Sequence, residues 1–287
     1  MTCTRAAPKG TARFCVPSGR KNPLRGEYSC EGVTTLQGWY ERKHRLCTAD
    51  VDRNGEWRAS AIFIDMQEAG GEHSERNGLG MRALRERDLA WVLSRVWLKL
   101  ERVPVLGDEV TVRTWPGAPR HFFCPRYYAF FVEGEQVGAA STLYVQLNLT
   151  TRAMAKPWLS DGDWLNCDVP PSLALPGNLP RFDEPADASE RTARYADLDV
   201  NGHVNNARYL DWYCDCFGDA FHRQNRLREA LVHYNREVLP DERVTLALQK
   251  HGDACLLQGT AEGASCFGVY GVWEARADGR DDANEGR

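Results

Sequence analysis

Residues 197–212 read DLDVNGHVNNARYLDW, and the first ten of them hold two carboxylates, three Asn and one His. Such side chains can bind a cation, orient a water or move a proton. His203 changes charge closest to neutral pH. Asn201 stands two residues before it and Asp199 four, close enough to hold a water or a carbonyl oxygen with it. The apolar residues that follow predict a helix, so His203 falls at a strand-to-helix turn. Free backbone N–H groups and the positive end of the helix dipole meet there and favour an oxyanion.

The same pattern occurs earlier. DVDRNGEW over 50–57 and DLDVNGHV over 197–204 share D-x-D-x-N-G at an offset of 147 residues. A calcium loop would need a bidentate acid at its twelfth position, where Ala61 and Arg208 stand. Turn chemistry accounts for the first copy, since Asp and Asn satisfy backbone donors and Gly permits the bend. In the second copy it accounts for Asp197 and Gly202 but does not require His203. Self-similarity at this period implies a duplicated domain.

Each copy has the elements to place such a turn. In the first half, 39–47 leads in as a strand and 60–75 is helical, with Ile62, Met66 and Ala69 on one side. Residues 90–100 alternate, with Ala90, Val92, Val96, Leu98 and Leu100 on one face and Arg95 and Lys99 on the other. Further strands fit 109–115, 122–131 and 136–147. In the second half, 191–195 is a short strand. Leu210, Tyr213, Cys214, Phe217 and Phe221 then form an apolar helical stripe. Strands fit 231–237, 243–250, 254–262 and 267–273. One helix followed by antiparallel strands, twice, predicts an α+β architecture of two sheets, each wrapped on a helix.

The chain has 287 residues, 43% hydrophobic and 26% charged, with a net charge of −4. That balance implies no chain-wide attraction to nucleic acid or an anionic membrane, and no apolar run is long enough for a membrane span. Six Lys or Arg against one acid make residues 1–30 read as a disordered basic leader, with a transit peptide as the alternative. Six of the fourteen prolines fall in 157–190, which predicts a linker over 156–189 between halves at 31–155 and 190–276. Residues 277–287 read as a disordered tail. No apolar signal segment precedes the ten cysteines and none forms a CxxC pair, so they read as reduced thiols without metal.

The stretch at 197–212 resembles the signature of the acyl-[acyl-carrier-protein] thioesterases of plants and bacteria. LGDEVTVRTW over 106–115 resembles that family's first-domain strand pair, and IDMQEAG over 64–70, with His73, its first central helix. The resemblance covers roughly 36–275. It implies a tandem (double) hotdog fold, two antiparallel sheets each on a central helix, whose first half shapes the acyl pocket. It also implies hydrolysis of fatty acyl-carrier-protein thioesters with no cofactor or metal, in the cytoplasm or, with a transit peptide, the plastid stroma. Acyl carrier protein is then the partner, and a homodimer is compatible with it.

Carried over residue by residue, the catalytic set is Asp199, Asn201 and His203, with Glu237 on a strand 34 residues further on. The family has Cys after that Glu, and here Val238 stands in its place, so water activated by Asp199 or Glu237 replaces a thiol nucleophile. Arg120 and Arg126 are the expected basic contacts to the acidic carrier protein. Hydrolysis of acyl-coenzyme A, a dehydratase and an acyl-binding module without turnover are the rival readings.

Overall fold

In the computed structural model, residues 38–158, 167 and 169–276 are described. The expected leader and tail lie outside them. The first half runs β1 (Tyr40–Arg45), α1 (Ala59–Arg76), α2 (Met81–Arg85), β2 (Leu89–Leu100), β3 (Glu109–Pro116), β4 (Phe123–Val132), β5 (Glu135–Asn148) and the two-residue β6 (Met154–Ala155). The second runs β7 (Asp187–Thr192), a 3-10 turn (Tyr195–Asp197), α3 (Arg208–Asp215), α4 (Asp219–Gln224), β8 (Asn225–Tyr234), β9 (Arg243–His251), β10 (Ala254–Ala261) and β11 (Ala264–Ala275).

The two sheets join into one of eleven strands, ordered β1-β3-β4-β5-β2-β8-β11-β10-β9-β7, with β6 beside β5. Read from its outer edges inward, each half has the same connectivity. The halves meet where β2 pairs antiparallel with β8, from Arg95 opposite His233 to Lys99 opposite Glu229. Antiparallel pairing has a local two-fold axis, so this ladder relates the halves as two subunits of a dimer would be related.

The sheet wraps on α1 and α3. Helix α1 buries Ile62, Phe63, Met66 and Ala69, and α3 buries Tyr209, Leu210, Trp212 and Tyr213. Ile62, Phe63, Met66 and Leu210 each contribute roughly 1.5–3 kcal/mol when fully removed from water. Residues 169–186 form no helix or strand apart from the join to β7. They run over the other face of the sheet, where Arg95 and His233 both bond the Gly177 carbonyl (3.1 and 2.9 Å). Val169 and Leu175 cover Trp115 and Tyr127 on that face.

Three local expectations fail, each for a physical reason. A β-bulge between Leu93 and Arg95 flips the phase of β2. Leu89 and Leu93 face the core before it and Val96, Leu98 and Leu100 after it, while Ala90 and Val92 are only partly buried. The apolar stripe through Phe221 is two helices. Gly218, with extended backbone, breaks it and caps α4, and Phe217 and Phe221 stack on each other (4.5 Å) and meet Trp273 edge to face. The strand expected at 191–195 ends at Thr192, because the Asp197 carboxylate takes the Arg194 amide (2.8 Å) and turns the chain.

Leu98 lies at the seam and is 2% exposed, while its neighbour Lys99 is exposed. Leu98→Ala should cost about 2–5 kcal/mol in denaturant unfolding and Lys99→Ala within about 0.5 kcal/mol. Equal effects would show that the seam is not packed as described.

Candidate active site

The repeated sequence builds the same turn twice. In the second copy, Asp199 Oδ1 accepts the Asn201 amide (2.8 Å), the Asp199 amide donates to the His203 carbonyl (3.0 Å), and the Gly202 amide to the Asp199 carbonyl (3.0 Å). In the first, Asp52 accepts the Asn54 amide (2.8 Å), and the amides of Asp52 and Gly55 make the matching bonds (2.8 and 3.0 Å). Gly55 and Gly202 sit at φ +74° and +83°, a conformation costly for a side chain. Short bridges close both turns, Val51 to Trp57 and Leu198 to Val204.

The correspondence extends outward. Asp50 takes the Cys47 amide at 2.8 Å as Asp197 takes that of Arg194. Trp57 donates its amide to the Pro104 carbonyl (2.8 Å), and Val204 to that of Val238 (2.9 Å). His44, between the carboxylates of Asp50 (3.1 Å) and Asp65 (2.7 Å), corresponds to Arg191. Asp65, whose carboxyl is pushed up by burial, corresponds to Trp212.

Subtracting one turn from the other isolates what the second half adds. Asp199 and Asn201 have counterparts in Asp52 and Asn54, and all four serve the turn. His203 stands against Glu56. Because Val238 pairs as Pro104 does, Glu237 stands against Val103. His203 is partly buried. Its Nδ1 lies 3.3 Å from the Val204 carbonyl and 3.8 Å from Asp199 Oδ1. The carbonyl can only accept, so the tautomer it favours has the proton on Nδ1 and a lone pair on Nε2.

Glu237 was expected on a strand and is not. Strand β8 ends at Tyr234, and the amides of Asn235 and Arg236 both turn to the Cys266 carbonyl (2.8 and 3.0 Å). Glu237 therefore sits in a loop, exposed, with its carboxylate 3.3 Å from Arg152 of the β5–β6 turn. An exposed pair of this kind holds weakly. Arg152 escaped the sequence reading because its partner is 85 residues away. The nearest thiol to this loop is no substitute for the missing Cys. Cys266 is buried and its pKa is raised by that burial, as are those of Cys214 and Cys216 on α3 and just past it.

Two further expectations change. The backbone N–H groups expected to be free at this turn are mostly taken: that of Val204 goes to Val238 and that of Asn205 to the Asp197 carbonyl (2.8 Å). The Asn206 amide has no protein partner among the described residues, and Tyr234 Oη donates to the Asn206 carbonyl (2.9 Å) and steadies it. Arg120 is exposed in the β3–β4 hairpin. Arg126 instead points toward α1, donating to His73 Nδ1 (3.1 Å), Thr114 Oγ1 (3.2 Å) and Ser74 Oγ (3.2 Å). Its place on β4 alternates it onto the helix side of the sheet, away from a docking protein.

The Glu237 loop is tied at its base. Glu242 accepts from Arg236 (2.6 Å) and from the Leu239 amide (2.9 Å). The Arg236 guanidinium holds the Glu242 carboxyl below its ordinary range. Stability from a carboxyl with a depressed folded pKa is present above the unfolded value of about 4.3 and is lost as pH falls through the folded value. Glu242→Gln should therefore be destabilising near pH 7, with the gap to the parent closing below pH about 4. Urea midpoints against pH check this, and a gap unchanged down to about pH 3 would remove Glu242 from that role.

The chain matches two family models, the acyl-ACP thioesterase N-terminal domain over residues 37–157 and the acyl-ACP thioesterase C-terminal domain over 183–268. Oleoyl-acyl carrier protein thioesterase 1, chloroplastic, of Arabidopsis thaliana is 27% identical over 71% of this chain and 61% of its own length. Palmitoyl-acyl carrier protein thioesterase, chloroplastic, of the same plant is 30% identical over 72% of this chain and 53% of its own length. The chain thus spans between about half and two thirds of these relatives. A crystal structure of an acyl-ACP thioesterase from Bacteroides thetaiotaomicron superposes with a TM-score of 0.76 at 24% identity, over 83% of this chain and 98% of that one. The 12:0-ACP thioesterase from Umbellularia californica gives 0.74 at 23%, over 86% and 100%. These likenesses show the double-hotdog fold, and with both halves matched by the two domains of one family, the chain belongs to the acyl-ACP thioesterases.

Proposed function

We propose that the chain hydrolyses the thioester of fatty acyl-carrier protein, releasing a fatty acid and the carrier thiol, with the chemistry at His203 and Glu237. The carrying observation is the comparison of the two turns. They share their scaffold, and the second differs by a His and a Glu where the first has Glu56 and Val103.

In this reading the thioester carbonyl lies at the Asn201–Asn206 turn. Glu237 leaves its weak pair with Arg152 and takes a proton from water as the oxygen attacks the carbonyl carbon. The water's other O–H is held by the His203 Nε2 lone pair. The Asn206 amide and the Asn201 side-chain N–H face the developing oxyanion. The C–S bond then breaks, and the proton on Glu237 passes to the departing sulfur. No thiol nucleophile is needed, which suits Val238 in the family's Cys position and the raised cysteine pKa values. Asp199 positions Asn201 and is not the base.

Thiol release from an acyl-carrier protein and acyl-coenzyme A panel tests this. His203→Ala and Glu237→Gln should each lower kcat about 10²–10⁴-fold, and Asp199→Asn by less. Glu237→Gln with undiminished kcat would move the base elsewhere. No release from the folded parent on any substrate would leave acyl binding without turnover.

Carrier-protein docking falls to exposed cations, of which Arg120 is the expected residue. Arg120→Glu should raise KM for acyl-carrier protein several-fold, leaving kcat and coenzyme A thioesters unchanged. Equal effects on both substrates would exclude Arg120 from docking. Relatives named for oleoyl, palmitoyl and dodecanoyl groups match at similar identity, so their names do not select an acyl chain.

A further inference from the structure

We propose that the first-half turn borders a second ligand site, suited to the carboxylate of a fatty acid. The duplication places this turn, like its catalytic counterpart, against the other half of the chain. A cavity of about 240 Å³ opens there between the halves. That exceeds the roughly 150 Å³ that holds a benzene ring in a protein core. Ile62, Leu98, Leu100, Leu227 and Trp273 give it an apolar lining.

Its polar centre is Glu56, the residue standing in the place of His203. One carboxylate there meets two guanidinium groups. Arg276 forks onto Glu56 with both terminal nitrogens (2.6 and 2.8 Å), and Arg226 reaches it at 3.2 Å. Most other charged groups on the lining have partners of their own. Arg53 pairs with Asp219 (2.9 Å), Arg228 with Glu274 (3.2 Å), Asp211 with Arg208 (2.9 Å) and Asp215 with Arg191. Glu229 takes the Trp97 indole N–H (2.8 Å), Arg58 donates to the Val51 carbonyl (2.8 Å) and Asp52 serves the turn.

An independent feature points to an acceptor ligand. Trp57 Nε1, Arg226 Nε and Arg276 Nε are buried donors with no hydrogen-bond partner, and all three residues line this cavity. Trp57 is 3% exposed. Three orphaned donors beside one carboxylate are costly unless acceptors arrive. A ligand carboxylate supplies two oxygens and one negative charge, suited to the two guanidinium groups that share the single Glu56 carboxylate, while its chain takes the apolar lining. The donors are shut off from solvent as they stand, so the guanidinium groups must turn toward the ligand. The Arg226 side chain, at 3.2 Å from Glu56 and 31% exposed, has room to do so.

Equilibrium dialysis with labelled decanoate tests the site without turnover, so its outcome is separate from the hydrolysis reading. The parent should hold two equivalents, one of them displaced by an acyl-thioester analogue and one not. Glu56→Gln removes the competing carboxylate and should tighten the second equivalent about tenfold. Glu56→Gln with Arg276→Met should abolish it and leave thiol release intact. Trp57→Phe, which keeps the ring and removes the donor, should weaken it several-fold and guards against a variant that fails to fold. A single equivalent in the parent, an unchanged second equivalent in the double variant, or equal binding of decanol would each overturn the proposal.

Discussion

The placement of each half against the other depends on the short ladder between β2 and β8. Five residue pairs of main-chain bonding join two matching runs of five strands, one of them flanked by β6, into one sheet. The ladder also covers the edge that each half would otherwise expose to other chains. Its local two-fold symmetry brings each half's turn against the other half. The first turn meets Arg226 and Arg276, and the loop beside the second meets Arg152. Neither set of contacts could form within one half alone.

Within that frame, the two turns share a scaffold and differ in the side chains set on it. Its Asp, Asp52 or Asp199, spends its hydrogen bonds on nearby amides, and its Gly accepts a backbone angle others resist. Such a unit keeps its shape whatever occupies the next position. Glu at that position became the centre of a buried ion cluster, where removing one partner strands charge. His at the equivalent position stayed partly open, with an unshared ring nitrogen at the mouth of a helix. The loop after the seam strand diverged in parallel, with Val103 buried in one half and Glu237 exposed in the other.

The interior of the first half also carries polar groups. Arg126, His73, Ser74 and Thr114 form a polar network under α1, beside Tyr128 and Tyr144, whose hydroxyl pKa values burial raises. The interior of the first half is therefore not uniformly apolar.

The sequence by itself determined the features whose causes are local. The two turns were legible because their bonds span at most four residues. Helix α1 and most strands were legible because side-chain periodicity reports which face meets the core. The repeat announced the duplicated architecture, and His203 stood out by type and position. Only the tertiary structure decided that one extra residue near Ser94 reverses the face of β2, and that β8 stops short of Glu237. It alone set Arg126 inward and Arg152 beside Glu237, and brought Glu56 to a partner 220 residues away. Strand register, strand ends and ion pairs are settled by groups distant along the chain, and no local pattern encodes which of them will meet.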